Sequence, residues 1–446
     1  MPGRTFIRVP ATKTAERGGI AMQIILANRY FFPDESATSR IATSLAQGLA
    51  ERSAAAATDS VHVLASQRVH NDVSQTLEAE GEVGPVRIHR LATTRFGRDR
   101  LIGRMLDYAT FHISVFAALL RHVQRGDVAI ICTDPPMLSV TAMAAVRLKG
   151  GIMVNWILDL FPEIAMDLGV LGREGLATRV ALWLRDLSLK AAYRNVVPIE
   201  RMAMHLADRG IPVSSLAIIH HWSDGAAIQP ITPGEGALRR EWGLAGKCVV
   251  GYSGNLGRAH EFDTVLATAE RLRMRDDIVF LFVGGGYRRA AVEAEVARRG
   301  LTNVLFKPLQ PRERLTECLG LPDIHLVTLL PSMEPYIVPS KFYGIAAAGR
   351  PTLFVGNTDG EIARVLAHAD CGASVAIGDV DGLERAVLDL AQSPERRLEL
   401  GINARRVYNE RFSEARGITE WRHLVDALAP ARAGTDAPAL SRGLPT

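Results

Sequence analysis

The chain has 446 residues, of which 48% are hydrophobic and 22% are charged, and its formal net charge at pH 7 is only +4. This length favours two or three domains, and the composition is that of an ordinary globular enzyme. The small charge excess gives no support for a nucleic-acid-binding protein. The four cysteines are far apart and form no C-x-x-C pair. We therefore expect free thiols in a reducing cytoplasm, without a disulfide framework or a structural zinc site.

The two ends of the chain differ in composition from the rest. Residues 1–21 are polar and basic with no apolar signal core, and residues 429–446 are rich in Ala, Pro and Gly. Both segments are predicted to be disordered extensions. Because no run of about eighteen uncharged apolar residues occurs, the sequence predicts no transmembrane helix.

Strands and helices alternate from residue 22 onward. Short apolar segments predict strands at residues 22–28, 61–65, 86–91, 128–133 and 152–158, and longer apolar-periodic segments predict helices at 39–52 and 101–125. Such alternation indicates a parallel sheet that is covered by helices on both faces.

The same pattern starts again after a Pro- and Gly-rich stretch at residues 229–236. Strands predicted at 248–253, 278–283, 304–306, 324–329 and 352–355 are each followed by a turn or helix. The predicted fold class is α/β, with two Rossmann-like, doubly wound parallel-sheet domains at residues 22–225 and 226–395. A final helix, at about 394–427, is expected to pack back on the first domain. Ligands of such sheets bind beyond the carboxyl ends of the strands, so the cleft between the domains is the expected site.

A glycine-rich segment, residues 251–261 (GYSGNLGRAHE), follows the first strand of the second domain. Glycines allow backbone N–H groups to approach a phosphate, and Arg258 and His260 add cationic donors. A tight turn that needs positive φ explains the same glycines, and both interpretations stay open. The segment is not a G-x-G-x-x-G fingerprint, and the first strand of the chain has no such glycines. A dinucleotide-binding dehydrogenase is therefore disfavoured.

Three further segments contain candidate ligand-binding residues. Glycines 284–286 end a strand, where they either leave room for a bulky ligand or permit close packing. Residues 338–351 (VPSKFYGIAAAGRP) predict a proline-started helix with Ser340 and Lys341 in its first turn, where unpaired N–H groups attract anions. Glu361 begins another helix, and its carboxylate either caps that helix or contacts a ligand hydroxyl.

The order of these motifs resembles the nucleotide-sugar domain of retaining family-4 glycosyltransferases with the GT-B fold. The motifs that carry the resemblance are SGNLGRAHEFDT, FVGGG, VPSKFYGIAAAGRP and GEIA. In the first half, residues 29–35 (RYFFPDE) resemble the family's first acceptor-side loop, and residues 158–163 (LDLFPE) resemble its Asp-Leu-x-Pro-Glu motif. The resemblance covers residues 22–427 and is nearest to bacterial enzymes of capsule, O-antigen and exopolysaccharide assembly.

The resemblance implies transfer of a sugar from a nucleoside diphosphate sugar, here a UDP-sugar, to an acceptor hydroxyl with the anomeric configuration retained. It implies no cofactor and no metal, because cationic side chains and a helix N-terminus stabilise the leaving diphosphate. The implied catalytic residues are Asp159, Arg258 and Lys341. The implied donor-binding residues are Gly254, Asn255, Gly257, Gly284, Gly285, Pro339, Ser340, Gly360 and Glu361.

The sequence departs from the family at a pair of glutamates. The family's Glu-x7-Glu positions fall on Tyr336 and Gly344. Either Glu334 or Glu361 takes over the role, or the ribose contact is different, or the activity is weak. This departure keeps a non-catalytic nucleotide-sugar-binding partner subunit open as an alternative, and a nucleotide-sugar epimerase is a further one.

Two aspartate motifs each have a structural alternative. Asp159 either orients or deprotonates the acceptor hydroxyl or caps the helix that follows it. Asp379 and Asp381 form an Asp-x-Asp, but their position before a predicted helix favours helix capping over metal binding.

The helix predicted at 101–125 has basic residues at its start and an apolar stripe. The stripe contains Phe111, Phe116, Leu119 and Leu120. The helix either covers the sheet or lies on an anionic membrane surface. The resemblance implies that the acceptor is a polyprenyl-linked sugar or an oligosaccharide. We therefore expect a cytoplasmic protein at the inner face of the inner membrane, with a nucleotide-sugar donor and no nucleic-acid partner.

Overall fold

The computed structural model describes residues 22–56, 60–70, 72, 74–97, 101–232 and 234–428. The extensions predicted at residues 1–21 and 429–446 lie outside these ranges. Within them, no helix combines the length and the apolar character needed to cross a bilayer.

The first sheet has eight strands. In chain order they are β1 (Gln23–Ala27), β2 (Ser60–Ser66), β3 (Glu80–Val83), β4 (Val86–Leu91), β5 (Val128–Cys132), β6 (Ile152–Trp156), β7 (Arg194–Val197) and β8 (Leu216–Ile218). Their order across the sheet is β3-β4-β2-β1-β5-β6-β7-β8. Strand β1 pairs in parallel with β2 and β5, and the edge strand β3 is antiparallel to β4. Strands β1 and β5 are apolar and buried almost throughout, as expected for strands covered on both faces.

The second sheet has six parallel strands. They are β9 (Cys248–Ser253), β10 (Ile278–Val283), β11 (Val304–Lys307), β12 (Ile324–Thr328), β13 (Thr352–Val355) and β14 (Gly372–Val375). Their order is β11-β10-β9-β12-β13-β14. The strand order reverses at β9, which lies between β10 and β12. Open α/β sheets bind ligands beyond the carboxyl ends of the strands at such a point.

Helices connect most of the strands. They are α1 (Ala37–Ala56), α2 (Leu101–His122), α3 (Leu138–Lys149), α4 (Glu163–Asp167), α5 (Leu176–Ala191), α6 (Glu200–Asp208), α7 (Ala237–Glu241), α8 (Asp263–Arg271), α9 (Arg289–Arg299), α10 (Leu315–Gly320), α11 (Lys341–Ala347), α12 (Glu361–Ala369), α13 (Val380–Gln392), α14 (Pro394–Val407) and α15 (Glu414–Ala427). The predicted architecture of two parallel-sheet α/β domains is confirmed.

Contacts within the chain divide it into two compact units. Of the described residues, the first unit contains those up to Trp156, Ser188–Asn195 and those from Ile418 onward, and the second contains those in Ile157–Leu187 and Val196–Gly417. Each unit has its own apolar core. Buried residues of the first core include Ile25, Leu64, Phe111, Leu119 and Ile131, and those of the second include Val250, Phe280, Leu326 and Leu353. The domain boundaries predicted from the sequence remain predictions.

The C-terminal helical region is interrupted, whereas the sequence predicted one helix at about 394–427. A π-helical turn, Tyr408–Phe412, follows α14, and Ser413 is extended with ψ 150°. The Ser413 hydroxyl accepts a hydrogen bond from Arg416 N (3.4 Å), which is typical of the residue that precedes a helix. The predicted return to the first domain is confirmed, because Trp421 of α15 packs edge-on against Trp156 with ring centroids 5.2 Å apart.

Helix α2 buries the apolar stripe named in the sequence analysis. Phe111 and Leu119 are fully buried, and Phe116 and Leu120 pack against the same core. The interpretation that this stripe covers the sheet is confirmed, and Phe111 and Leu119 are too deeply buried to contact a membrane. Among its described residues, α2 exposes the large apolar side chains of Ile102, Met105, Leu106 and Ile113.

Candidate functional site

Two glycine loops touch at the carboxyl ends of β9 and β10. A Cβ atom on Gly284 would lie 2.2 Å from the carbonyl oxygen of Gly254, and one on Gly286 would lie 2.2 Å from Oδ1 of Asn255. Both glycines have positive φ, 132° and 133°. Any larger residue would push the loops apart, so close packing alone explains Gly284 and Gly286.

Backbone hydrogen bonds join these two loops. Gly254 N donates to the carbonyl oxygen of Val283 (2.8 Å), and Leu256 N donates to that of Gly285 (2.7 Å). Gly285 differs from its neighbours because nothing lies within 4 Å of the position of its missing Cβ. Of the two glycines predicted to bind the donor in this loop, Gly285 therefore borders open space and Gly284 borders Gly254.

Lys341, the first residue of α11, reaches the first of these loops. A Cβ on Gly254 would lie 2.9 Å from Cε of Lys341, so the glycine makes room for the lysine chain. The ammonium Nζ lies 3.0 Å from Nε2 of His260 and 5.2 Å from the ring centroid of Tyr252. No carboxylate of the described residues pairs with it, and burial lowers its pKa to about 8. A crowded ammonium without a counter-ion favours the binding of an anion.

His260 is a neutral partner of this lysine. Its Nδ1–H donates to the carbonyl oxygen of Thr328 (2.5 Å), which leaves the lone pair of Nε2 to accept from Lys341. Burial and the positive charges of Lys341 and Arg288 lower its pKa to about 4. The expectation that His260 adds a cationic donor is therefore wrong, because this imidazole is uncharged at pH 7. It holds the Lys341 ammonium in place instead.

Arg258 is the second unneutralised cation of this region. Its side chain is exposed, and its Cζ lies 3.7 Å from the ring centroid of Tyr287. It forms no ion pair with a described carboxylate. Asn255, in the same loop, is also exposed, and Gly257 lies beside the Asn255 amide. The loop after β9 therefore presents a cation and an amide to solvent.

Helix α11 is shorter than the sequence predicted. It begins at Lys341, two residues after Pro339, and no side chain caps its first turn. Pro339 is buried, and Ser340 is exposed with its N–H bonded to the carbonyl oxygen of Val338 (2.8 Å). The charged feature of this helix is thus the side chain of Lys341 itself.

Glu334 stabilises the start of α12. Its buried carboxylate accepts hydrogen bonds from Glu361 N (2.8 Å) and from Nδ2 of Asn357 (2.9 Å). A Cβ on Gly360 would lie 1.7 Å from Oε1 of Glu334, so glycine is required there. Both Glu334 oxygens therefore accept hydrogen bonds at the start of α12. The close approach of this carboxylate is enough to account for the glycine at position 360, and no ligand is needed to explain it.

Glu361 has a less occupied carboxylate than Glu334. Burial raises its pKa, and Nη2 of Arg364 lies 3.7 Å from its Oε2, at the long end of the range for an ion pair. Of the two candidates for the missing family carboxylate, Glu361 is the one whose oxygens do not cap a helix. The family has a glutamate at the position of Gly344. A Cβ atom added to Gly344 would lie 3.3 Å from Cδ1 of Leu319 and 3.7 Å from Oγ of Ser223.

The Asp159 motif meets the segment around Tyr336. Leu160 N donates to the carbonyl oxygen of Tyr336 (2.9 Å). Asp159 is exposed, and helix α4 begins after Pro162. Both interpretations of Asp159, as an acceptor contact and as a helix cap, stay predictions.

Glu163, at the end of the same motif, has a structural role. It is buried, and its Oε1 lies 2.6 Å from Nη2 of Arg185 and 3.2 Å from Nε2 of His205. Burial by itself would raise its pKa, but the His205 hydrogen bond and the Arg185 charge outweigh burial and lower it to about 2. Glu163 is thus a carboxylate that is already paired.

The Asp-x-Asp motif caps a helix. Asp379 precedes α13, and its Oδ1 accepts from Gly382 N (2.9 Å), whereas Asp381 pairs with Arg271. The prediction of capping is confirmed. Among the residues that the structure describes, no group of three or more His, Cys, Asp or Glu is arranged to hold a metal ion.

Sequence reasoning missed Arg201 of α6. Its Nη2 donates to the backbone oxygen of Asp359 (2.6 Å), and its Nε lies 3.5 Å from the Glu334 carboxylate. No motif surrounds Arg201, and these two partners are more than a hundred residues away in the chain. Nothing in the local sequence could have identified it.

Part of the chain matches a known protein family, and two named bacterial proteins are similar to it in sequence. Residues 236–407 match the family described as "Glycosyl transferases group 1". The chain is 27% identical over 296 residues to the "Putative colanic acid biosynthesis glycosyl transferase WcaI" of Escherichia coli (strain K12), which covers 65% of this chain and 72% of that protein. It is 27% identical over 332 residues to the "Probable glycosyltransferase WbjE" of Pseudomonas aeruginosa, which covers 72% and 79%.

Solved structures share the fold. Sucrose-phosphate synthase from Thermosynechococcus elongatus superposes with a TM-score of 0.70 at 16% identity, over 92% of this chain and all (100%) of that one. Anabaena HepE in complex with UDP-glucose superposes with a TM-score of 0.67 at 13% identity, over 91% and 100%. Residues 236–407 thus match the glycosyl transferases group 1 family, two bacterial proteins named as glycosyltransferases are similar to most of the chain, and the chain shares the GT-B fold of the solved structures.

Proposed function

We propose that the chain transfers a sugar from a UDP-sugar to a lipid-linked or polysaccharide acceptor in cell-surface polysaccharide assembly. In this proposal the anomeric configuration is retained, no metal takes part, and the protein works at the cytoplasmic face of the inner membrane. The observation that carries the proposal is Lys341, an ammonium without a described counter-ion beside neutral His260 at the loop after β9.

The role of Lys341 follows from the charge that develops in the reaction. When the bond between the sugar and the diphosphate breaks, negative charge grows on the leaving diphosphate. Lys341 and Arg258 stabilise it as fixed cations, and backbone N–H groups of Asn255 and Gly257 approach it closely. Gly254 contributes by leaving room for the Lys341 side chain. Because His260 holds the ammonium before the donor binds, little reorganisation is needed during the reaction.

Other residues bind the remainder of the substrates. Ser340 and Pro339 lie next to Lys341 in the chain and complete the phosphate side. Glu361 accepts hydrogen bonds from ribose hydroxyls, as a carboxylate with spare acceptor capacity can. The open space at Gly285 accommodates part of the donor. Asp159, whose side chain is exposed, orients or deprotonates the acceptor hydroxyl.

Two of the similar proteins support the choice of substrates. Anabaena HepE forms a complex with UDP-glucose, and the E. coli relative carries the name of a colanic acid biosynthesis glycosyl transferase. The first fits a nucleotide-sugar donor, and the second fits a polysaccharide or lipid-linked acceptor.

The test is release of the nucleoside diphosphate. The purified protein is incubated with several UDP-sugars, with GDP-mannose as a comparison, and with a bacterial lipid extract. We expect acceptor-dependent UDP release by the native chain and none by Lys341→Met. Absence of release from every donor, together with no nucleotide binding in calorimetry, would contradict the proposal.

A second candidate function has one observation in its favour. Gly344 provides no carboxylate at the family's glutamate position, so a non-catalytic nucleotide-sugar-binding subunit fits the same site. Tight UDP binding without turnover in the presence of acceptor would select that function. Conversion of the donor sugar without any acceptor would select an epimerase.

A further inference from the structure

Helix α5 has an apolar stripe on its exposed face. The exposed fractions are 77% for Leu176, 44% for Val180, 62% for Trp183 and 39% for Leu187. These positions are spaced i, i+4, i+7 and i+11, so a helix with 3.6 residues per turn brings all four to one side. A row of this kind differs from the singly scattered apolar residues that are normal on a surface.

The opposite side of α5 is packed firmly. Thr178, Arg185 and Leu189 are buried. Thr178 Oγ1 donates to the carbonyl oxygen of Gly172 (2.7 Å), and Arg185 binds Glu163. The helix is therefore fixed in its orientation, with the apolar row directed away from its packed side.

Cations accompany the stripe. Arg179 and Lys190 are exposed, lie along one edge of the row in the helical projection, and form no ion pair with a described residue. The acidic groups nearby are not on the row: Asp186 is bonded to Arg185 and Arg209, and Glu174 precedes the helix. The exposed face of α5 is thus apolar and positively charged.

The apolar and positively charged character of this face helps to decide whether a second copy of the chain or a lipid bilayer binds to it. A second copy of the chain needs about 800 Å² from each partner, more than one helical row of four side chains provides. A two-fold interface centred on this row would also bring Arg179 and Lys190 near their own copies, where like charges repel. An anionic bilayer meets neither objection, because leucine and tryptophan enter the interface while arginine and lysine contact the headgroups.

We propose that the face of α5 formed by Leu176, Val180, Trp183, Leu187, Arg179 and Lys190 docks on the surface of an anionic lipid bilayer. This inference goes beyond the proposed donor site and holds for any sugar donor. Helix α5 follows the Asp159 motif in the chain and holds its Glu163, so docking would bring that motif near lipid-linked substrates.

Trp183 provides a direct test. Trp156, Trp222 and Trp421 are buried and Trp242 is half-buried, whereas Trp183 is 62% exposed. The full chain is mixed with vesicles of phosphatidylcholine, with and without phosphatidylglycerol. We expect a blue shift of tryptophan emission, and quenching by brominated acyl chains, with the anionic vesicles. Trp183→Phe should lose the shift.

Two matched variants distinguish specific binding through α5 from nonspecific binding of exposed apolar side chains to vesicles. Leu176→Gln/Val180→Gln changes an exposed i, i+4 pair of α5, and Leu398→Gln/Ile402→Gln changes an equally spaced exposed pair of α14. We expect the first variant to co-sediment with anionic vesicles about tenfold more weakly than the native chain and the second to be unchanged. Arg179→Gln/Lys190→Gln should weaken binding and flatten its salt dependence.

The inference is overturned if both paired variants co-sediment equally, or if vesicle binding leaves the Trp183 emission unchanged. It is also overturned if the native chain is a dimer that Leu176→Gln/Val180→Gln converts to monomers. UDP binding by calorimetry without vesicles is measured on the same samples. Normal UDP binding with lost docking, or the reverse, therefore distinguishes failure of this inference from failure of the proposed function.

Discussion

The ends of the two central strands β1 and β9 differ in their electrostatics. Each strand pairs in parallel with two neighbours of its own sheet. After β1 stands Arg29, which is buried 3.9 Å from Asp107 and whose Cζ lies 4.7 Å from the ring centroid of Tyr108. At β9 the corresponding cation is Lys341, which has glycines, a neutral histidine and no described carboxylate around it.

The comparison shows that the strand pattern alone does not decide whether a cation at a strand end has a carboxylate partner. Both sheets provide a strand end beside a reversal of strand order. The first places a carboxylate and tyrosine rings near its cation, and the second leaves its cation uncompensated. Burying an unpaired charge costs free energy, so such a charge is retained where a ligand neutralises it.

The largest expected effect comes from disrupting the contact between Gly284 and Gly254, whereas the described loop after β1, residues 28–36, contains no glycine. Gly284→Ala should lower the free energy of unfolding by about 3 kcal/mol, because the new Cβ meets a carbonyl oxygen at positive φ. Gly285→Ala is the control, since its Cβ enters open space and should leave stability unchanged. Denaturant unfolding measures both. Equal stability of the two variants would contradict the role of the contact.

The second prediction compares the two cations directly. Lys341→Met should weaken UDP binding about 10- to 100-fold, because one charge-assisted contact to the diphosphate is lost. It should also leave stability unchanged or raise it, since an unpaired crowded charge is removed. Arg29→Met should lower stability and leave UDP affinity unchanged. Calorimetry measures the UDP affinity of each variant, and thermal unfolding measures its stability. If Arg29→Met weakened UDP binding and Lys341→Met lowered only stability, the roles given to these two cations would be wrong.

The third prediction uses the pKa of Lys341, which burial lowers to about 8. The ammonium is charged below this pH and loses its proton above it, so UDP affinity should be highest below pH 8 and fall as the pH rises. One pH unit above the pKa the loss approaches about tenfold. Titration calorimetry between pH 7 and 9.5 measures it. Lys341→Met should bind weakly with no such pH dependence; a native affinity that stays flat to pH 9.5 speaks against Lys341 as a diphosphate contact.

The smallest expected effect concerns the proposal that UDP binding at the second sheet needs no metal ion. Asp379→Ala should lower the free energy of unfolding by about 1 kcal/mol, because α13 loses its capping bond from Gly382 N. UDP binding should be the same for the variant and the native chain, with Mg²⁺ or with EDTA. Loss of a Mg²⁺-dependent part of the affinity would show that the Asp-x-Asp holds a metal.

Much of the fold was predictable from the sequence because the relevant signals are short-range. The strands at 248–253, 278–283 and 352–355 were predicted with the bounds they have, since apolar runs between turn residues define them. The Asp379 cap also depends on residues three positions apart. The break at Ser413 was missed, because helical periodicity continues on both sides of it and only a hydroxyl marks the interruption.

The sequence by itself determined the two alternating α/β patterns, the glycine loops and the identity of Lys341 as a candidate cation. Only the tertiary structure decided that His260 is neutral, that Glu334 caps α12 from 27 residues away, and that α5 turns its apolar row outward. The reason is physical. Helix and strand signals act over a few neighbouring residues, whereas burial and charge balance depend on all the groups that distant segments bring together.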